Sequence, residues 1–406
     1  MQKLLAIALR GGGILGKFLL TFLLTKKISL EFQGEFSLMN ANIALLVIII
    51  GFDFYIYSNR LIVKDKSSLI FIFKNSLVFY LCSYLILIPI CYLLLKVGLV
   101  PKEVLIIFFI LSVLEHLGQE LFRIYIAIEK VVFANILFFL RSGVWSWIVV
   151  VCLYFDQTSV ATLYSIFLLW IFSTLAAIII GIAFLPGIRE FNRVKIDGGW
   201  IKKGLKVGAS LFLATLLLKA IEYSDRYLID YFLGKKELGI YAFYFQLSNI
   251  INVLVFTLYI SFIYPKILRS VYDRNKVSVN INKLEIYKNT LIIVFAMLIA
   301  FIIGIPFVLE AMNKQPLEAN KSIFYILLLG AVFFNFSFGS HYVLIAEEKE
   351  KLIIKTTLIA FVLNLGLNFI LIPYLGIYGA AIALAISSFA LCVSKLWEEK
   401  KLLKKW

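Results

Sequence analysis

The stretch that decides the fold runs from residue 204 to 247 and reads GLKVGASLFLATLLLKAIEYSDRYLIDYFLGKKELGIYAFYFQL. It opens with an apolar run of membrane-spanning length. Polar residues then recur at steps of three and four, namely Lys219, Glu222, Tyr223, Arg226 and Asp230. On a helix these positions fall within an arc of about 100°. Because lipid tails cannot solvate a charged stripe, we expect it to face protein or a water-filled cavity that carries a charged substrate.

The same stripe has a structural interpretation. Charges at these spacings can form an internal ladder, in which Lys219 pairs with Glu222 and Arg226 pairs with Asp230. Such a ladder lowers the cost of burying the charges, but it does not explain why a membrane helix carries them, so we favour the substrate path. Asp225 points to the opposite side of the helix, where it is placed to pair with a neighbouring helix.

The composition places the whole chain in lipid. Its 406 residues are 62% apolar and 16% charged, which leaves too little polar surface for a soluble protein of this size. We predict an all-α integral membrane protein made of two six-helix bundles, residues 1–198 and 199–406. Windows of about 20 residues give twelve spans, centred on 4–24, 37–57, 70–95, 103–123, 131–153, 160–185, 204–231, 238–264, 288–309, 321–345, 352–372 and 376–394.

The formal charge of +16 has two explanations. Basic chains often bind nucleic acid, but membrane proteins also collect Lys and Arg in their cytoplasmic loops. Most of the 40 Lys and Arg residues lie at the termini and in alternate loops. This asymmetry predicts cytoplasmic termini and an even number of spans, and we expect no nucleic acid partner.

Two cations lie inside span one. Arg10 and Lys17 share one face of the helix, and Gly12 and Gly16 on that helix allow close approach of another helix. The segment also matches the start of a P-loop, but Phe18 stands where Ser or Thr must hold the metal, and no strand precedes it. We expect both cations to face a cavity, with snorkelling of Arg10 to the cytoplasmic surface as the alternative.

Further charges lie in spans two, four and five. Asp53, near the cytoplasmic end of span two, is either a cation-binding carboxylate or a capping or snorkelling residue. Span four forms a proton relay or, as we favour, a structural polar seam, with Glu115, His116, Gln119, Glu120 and Arg123. A zinc site is not expected, because the chain has only 2 histidines. Arg141 in span five is placed either to pair with this seam or to face the cavity.

The two halves of the chain contain similar short segments. Residues 31–38, EFQGEFSL, follow the first span, and residues 237–243, ELGIYAF, follow the seventh. Gly34 and Gly239 occupy matching places in the two segments, each two residues before an aromatic. Two six-span halves in the same orientation form a parallel repeat, which transporters use with the substrate path between the halves.

Several short segments resemble those of a known family. SDRYLI at 224–229, followed by FLG and LGIY, resembles the seventh-span signature of the Wzx-type polysaccharide flippases, which belong to the MOP exporter superfamily with the MurJ and MATE proteins. PYLGIYGAA at 373–381 is similar to the entry of a late span in that family. Residues 31–38 look like its first periplasmic loop, although Gln33 replaces the aromatic often found there. The resemblance covers the chain and implies a V-shaped MATE/MurJ-like bundle with a parallel pseudo-two-fold.

The resemblance also implies a function. Such a protein moves an undecaprenyl-pyrophosphate-linked glycan repeat unit, as in O-antigen and lipopolysaccharide synthesis, across the bacterial inner membrane. A pyrophosphate cannot cross about 30 Å of hydrocarbon unaided, and a cationic cavity would hold it through Arg10, Lys17, Arg141, Lys219 and Arg226. Coupling to Na⁺ or H⁺ would use Asp53, Glu222 and Asp225. We expect no cofactor or metal site, and a loose association with a polysaccharide polymerase and glycosyltransferases.

Three alternatives remain. A MATE-like multidrug or cation antiporter needs an acidic or aromatic cavity, whereas span one is cationic. A lipid II flippase usually has two more spans. A membrane glycosyltransferase or polymerase, from a different class, needs a catalytic periplasmic loop, and the loops on that side are short. No enzyme motif is recognised in the sequence, so we predict a transporter.

Overall fold

The structure is a computed structural model that describes residues 2–404, with side chains at 5–6, 8–209, 211–256, 259–260 and 263–404. Within residues 2–404 the chain forms helices joined by short turns, and no β-strand occurs there. Helices satisfy all of their backbone hydrogen bonds internally, which is the requirement for crossing hydrocarbon.

Up to Leu233 the described residues form nine α-helices: α1 Gln2–Leu23, α2 Leu30–Gly51, α3 Phe54–Lys64, α4 Leu69–Lys96, α5 Leu105–Ala127, α6 Val131–Phe139, α7 Trp145–Tyr154, α8 Leu163–Ala183 and α9 Gly198–Leu233. The described residues beyond Leu233 form seven more: α10 Lys235–Val255, α11 Ser261–Tyr272, α12 Lys276–Met312, α13 Gln315–Ala319, α14 Ile323–Ala346, α15 Glu350–Leu375 and α16 Ile377–Leu403.

The predicted all-α membrane fold is confirmed. Eleven stretches of the described chain are long and apolar enough to cross a bilayer, and α9 makes up to twelve if its bent parts are one span. One predicted boundary is wrong. Span two runs from Leu30 to Gly51, so Asp53 lies beyond its end, in the turn before α3.

Two compact units make up the chain. Unit 1 comprises Met1–Ile28 and Leu38–Leu216, and unit 2 comprises Ser29–Ser37 and Leu217–Trp406. Two continuous helices, α2 and α9, therefore contribute residues to both units. The division at residues 198 and 199, which was predicted from the span count, stays a prediction.

Each unit has its own helix packing. In unit 1, α1 packs on α6 and α7, and α5 packs on α6 and α8. In unit 2, α14 and α15 pack on α16, and α14 also contacts α10, α11 and α12. Many large apolar side chains on the outer faces stay exposed, which is expected where the solvent is lipid.

Candidate functional site

A buried ion pair joins spans four and five of unit 1. The guanidinium of Arg141 donates to Glu115 Oε2 at 2.7 Å and to the Glu115 carbonyl oxygen at 3.2 Å. Arg141 lies in a π-helical turn, Leu140–Val144, between α6 and α7. Such turns insert one extra residue per turn and redirect the side chains near it. Gly118 leaves room for the pair, because a Cβ there would lie 2.6 Å from Arg141 Cδ.

Glu115 is held by more than the arginine. Its Oε1 accepts from the Trp170 indole at 2.6 Å and from the Thr174 hydroxyl at 3.3 Å. Both oxygens of the carboxylate are therefore occupied by donors of unit 1. Of the two arrangements open for Arg141, the structure shows pairing with the span-four seam. Its part in substrate binding stays a prediction.

The two cations of span one lie over aromatic rings. Arg10 lies 6.0 Å from the centroid of Phe138, and Lys17 Nζ lies 5.6 Å from Trp170 and 6.0 Å from Trp145. Those two tryptophans stack at 4.6 Å. Among the described residues, neither Arg10 nor Lys17 has a carboxylate within ion-pair distance. They are the intramembrane candidates that lie over ring faces and form no direct ion pair among the described residues.

The glycine face of span one packs closely, as predicted. The Trp147 indole donates to the carbonyl oxygen of Gly12 at 2.9 Å. A Cβ at Gly16 would lie 2.7 Å from Ser146 Oγ. This face holds α1 against α7, so the helix that carries Arg10 and Lys17 is fixed within unit 1.

Other polar residues of span four also contact neighbouring side chains. His116 Nδ1 lies 3.0 Å from the Tyr84 hydroxyl, and Glu120 accepts from the Tyr80 hydroxyl at 2.7 Å. Glu120 also pairs with Arg123. The described residues hold no group of three or more His, Cys, Asp or Glu side chains that could bind a metal ion.

Asp53 occupies a strained turn of unit 1. It follows Phe52, and both residues have a positive φ, 49° and 51°, which is uncommon for residues with a Cβ. Its Oδ2 accepts from the Thr215 hydroxyl of α9 at 2.6 Å. The side chain is buried and makes no capping hydrogen bond to α3. The burial does not fit a snorkelling side chain, and Asp53 stands at the N-cap position of α3 without capping it through its carboxylate.

Burial raises the pKa of the Asp53 carboxyl, while the hydrogen bond from Thr215 and the nearby Arg123 charge lower it. Strained turns of this kind cluster at functional sites. The combination keeps Asp53 as a candidate for cation coupling.

Of the two ion pairs predicted along the charged stripe of α9, one is present. Lys219 Nζ donates to Glu222 at 2.6 Å, which matches the predicted first pair. The second predicted pair, Arg226 with Asp230, is wrong. Asp230 accepts from Lys235 at 3.3 Å, because α9 ends at Leu233 and the chain turns at Gly234.

Arg226 has other partners. Its Nε donates to the Ser37 hydroxyl at 3.2 Å, and its guanidinium contacts Asp225 at 3.3 Å. The guanidinium also lies 4.4 Å from the Phe245 ring centroid. Asp225 is fully buried and accepts from the Tyr241 hydroxyl of α10, so it does pair with a neighbouring helix. Arg226 and Asp225 thus form one buried centre of unit 2.

Sequence reasoning missed a polar network beside this centre. Ser224 donates to Asn364 Oδ1 at 2.8 Å, Asn364 donates to Ser387 at 3.1 Å, and Asn368 donates to Asn364 Oδ1 at 3.1 Å. Asn368 Oδ1 is buried without a partner among the described residues. The signal was available, because two asparagines four residues apart in an apolar span share one helix face.

The two matching glycines meet in unit 2. A Cβ at Gly34 would lie 2.0 Å from the Lys235 carbonyl oxygen, and one at Gly239 would lie 1.9 Å from the Leu30 carbonyl oxygen. The backbones of α2 and α10 therefore touch where the repeat was noticed in the sequence. Only residues without a Cβ permit this approach.

Comparison with known proteins places the fold. No protein-family model and no curated sequence matches the chain. Among solved structures, it is similar to an inward-facing multidrug resistance MATE family transporter of the MOP superfamily, with a TM-score of 0.74 and 14% identity, covering 95% of this chain and 94% of the other. It is also similar to the lipid II flippase MurJ in an inward closed conformation, with a TM-score of 0.69 and 14% identity, covering 98% and 87%.

These similarities define the fold class of the chain. The chain has the fold shared by MATE transporters and MurJ over nearly its whole length, and it is a multi-pass membrane protein. At 14% identity, the likeness establishes the fold alone.

Proposed function

We propose that the protein is a flippase of the Wzx type, which moves an undecaprenyl-pyrophosphate-linked oligosaccharide from the cytoplasmic to the periplasmic leaflet of the bacterial inner membrane. It would act as a transporter by alternating access and not as an enzyme. Both termini would be cytoplasmic, and polymerase and glycosyltransferases would associate with it loosely.

The observation that carries the proposal is the pair of cations on span one. Arg10 and Lys17 have no carboxylate partner among the described residues, whereas Arg141, Lys219 and Arg226 do. A cation inside a membrane helix is costly and marks the path of an ion or substrate. Unbalanced positive charge suits an anionic headgroup such as pyrophosphate, to which Arg can bind in a bidentate manner.

The cations that form ion pairs, Arg141, Lys219 and Arg226, would have a different role from Arg10 and Lys17. Lys219 is about one-third exposed and shares its charge with Glu222. Arg226 and Arg141 are buried in their own ion pairs. Each of these three would shape the polar surface of its own unit, while Arg10 and Lys17 would supply the net charge that neutralises the pyrophosphate.

Coupling to Na⁺ or H⁺ is part of the proposal. Asp53, Glu222 and Asp225 remain its candidates. Glu222 and Asp225 each have a cation partner, and Asp53 has a neutral donor, Thr215. A carboxylate held by a neutral group is freer to bind a proton or a cation, so Asp53 is the first of the three to test.

The direct test uses proteoliposomes that contain fluorescent polyprenyl-pyrophosphate oligosaccharide. Arg10→Ala and Lys17→Ala should each slow its translocation at least tenfold, about 1.4 kcal/mol of lost binding. Arg10→Lys and Lys17→Arg should retain most of it. The matched control is Lys66→Ala, which removes an exposed lysine of the same unit that pairs with Glu129. Wild-type rates in both alanine variants would refute the cationic site.

A MATE-like antiporter is the second candidate, because a multidrug MATE transporter is among the similar structures. The same vesicles distinguish the two. Export of ethidium, with no movement of the lipid-linked sugar, would favour the antiporter. Lipid II in place of the oligosaccharide tests the activity named for the MurJ relative.

A further inference from the structure

A buried charge cluster in unit 2 lies apart from the proposed site. Lys283 of α12 donates to Glu399 Oε2 at 2.5 Å, and Ser340 of α14 donates to the same oxygen at 2.6 Å. Glu399 belongs to α16 and has no exposed surface. This carboxylate therefore ties together three helices through one of its two oxygens.

One carboxylate oxygen and one lysine of the cluster stand outside this ion pair. Glu399 Oε1 is buried and has no hydrogen-bond partner in the described part of the chain. Lys395 has 1% of its surface exposed, and no carboxylate of the described residues lies within ion-pair distance of it. Its titratable neighbours are His341 and Cys392, neither of which supplies a carboxylate.

The Lys395 ammonium and the free oxygen of Glu399 are opposite in charge and close in sequence. Lys395 and Glu399 are four residues apart on α16, so they lie on the same face of one helix at a spacing that permits an ion pair. Leaving a buried charge unpaired is strongly unfavourable. The structure nevertheless pairs Glu399 with a lysine of another helix and leaves the nearer lysine unpaired.

The position of the cluster is suited to movement. Helix α12 has 37 residues, or about 55 Å at 1.5 Å per residue, which exceeds the hydrocarbon thickness of about 30 Å. Its first turns, which carry Lys283, therefore lie near or beyond one membrane surface. A side chain exchange there does not require a charge to cross the bilayer.

We propose that Glu399 is a two-position switch: Lys283 holds it in the conformation described here, and Lys395 replaces Lys283 when α12 and α16 separate. In the second state the ion pair lies within α16, so it no longer ties α12 to α16. The exchange keeps Glu399 paired throughout and requires no change in net charge. It rests on the proposed function only in assigning the two states to a transport cycle.

The first test measures distance and does not depend on transport. Spin labels are placed at exposed Leu284 of α12 and Trp397 of α16, in a background with Cys82→Ser and Cys152→Ser, and the protein is studied in nanodiscs. Wild type should give two distances. Lys395→Met should lose the longer one, and Lys283→Met should lose the shorter one. A single distance that is identical in all three proteins would overturn the switch.

The second test measures thermal unfolding. Lys395→Met removes an unpaired buried charge and should raise the midpoint, whereas Lys283→Met breaks the existing pair and should lower it. Lys355→Met is the matched control, because it removes an exposed lysine that pairs with the neighbouring Glu398, and it should change little. A fall of equal size for Lys395→Met and Lys283→Met would mean that Lys395 is structural and would refute the exchange.

A transport assay distinguishes failure of the switch from failure of the proposed flippase function. Lys395→Met should slow translocation in spite of its higher stability, a combination that a structural role would not give. If wild type itself moves no lipid-linked sugar while the two distances respond as expected, the flippase assignment fails and the switch stands. If Lys395→Met transports at the wild-type rate, the switch has no part in the cycle.

Discussion

Removing the guanidinium of Arg141 gives the sharpest test of how unit 1 is held together. In Arg141→Met the carboxylate of Glu115 stays buried and keeps only its neutral donors, Trp170 at 2.6 Å and Thr174 at 3.3 Å. Breaking a buried pair by removing one partner costs about 3–5 kcal/mol. Glu115→Gln leaves the arginine unpaired and should cost a similar amount.

The double variant should recover most of that loss. With Met at 141 and Gln at 115, neither charge of the pair is left, and the new amide oxygen still accepts from the Trp170 indole. We expect a net cost of about 1–2 kcal/mol, and therefore a coupling energy of about 3 kcal/mol or more between the two positions.

The assay is reversible unfolding in mixed dodecylmaltoside and SDS micelles, followed by circular dichroism. The control cycle uses Lys66 and Glu129, an exposed pair of the same unit at 2.9 Å, where each change should cost at most about 1 kcal/mol. A cost below about 1 kcal/mol for Arg141→Met, or strictly additive losses in the double variant, would refute the reasoning.

Three further predictions follow from single contacts. Gly239→Ala should lower the midpoint of thermal unfolding, because its Cβ would lie 1.9 Å from a backbone carbonyl oxygen of α2, whereas Gly366→Ala, with nothing within 4 Å, should not. Tyr241→Phe removes the donor to Oδ2 of the buried Asp225, whose Oδ1 keeps its contact with Arg226, and should cost about 1–3 kcal/mol in the same SDS titration. Burial raises the pKa of Asp53, so the folded chain holds a proton that the unfolded chain loses above about pH 4. Wild-type stability relative to Asp53→Asn should therefore fall as the pH rises from about 4, and parallel pH profiles would contradict this.

Much of the fold could be read from the sequence because membrane spans are local. A run of about 20 apolar residues is expelled from water whatever lies elsewhere in the chain. The pair of Lys219 and Glu222 is local in the same sense, since helix geometry alone puts residues three apart side by side. The same holds for the shared face of Arg10 and Lys17.

Local geometry failed where the helix ended or changed its pitch. The predicted pair of Arg226 with Asp230 needed nothing but regular spacing, yet Gly234, with a φ of 85°, ends α9 and turns the chain so that Lys235 reaches Asp230 instead. The π-helical turn at Leu140–Val144, which carries Arg141, is a second local change of helix geometry. Neither change is visible in hydrophobic periodicity, which averages over several turns.

The sequence by itself determined that this chain spans a membrane, where its helices lie, and which charges had to be hidden from lipid. Only the tertiary structure decided the partners that lie on other helices. Glu115 forms an ion pair with Arg141, and Asp225 accepts a hydrogen bond from Tyr241. Among the described residues, no carboxylate lies within ion-pair distance of Arg10 or Lys17. The physical reason is that a charge buried in lipid is stable only with a partner. Which helix supplies that partner depends on packing between segments far apart in the chain.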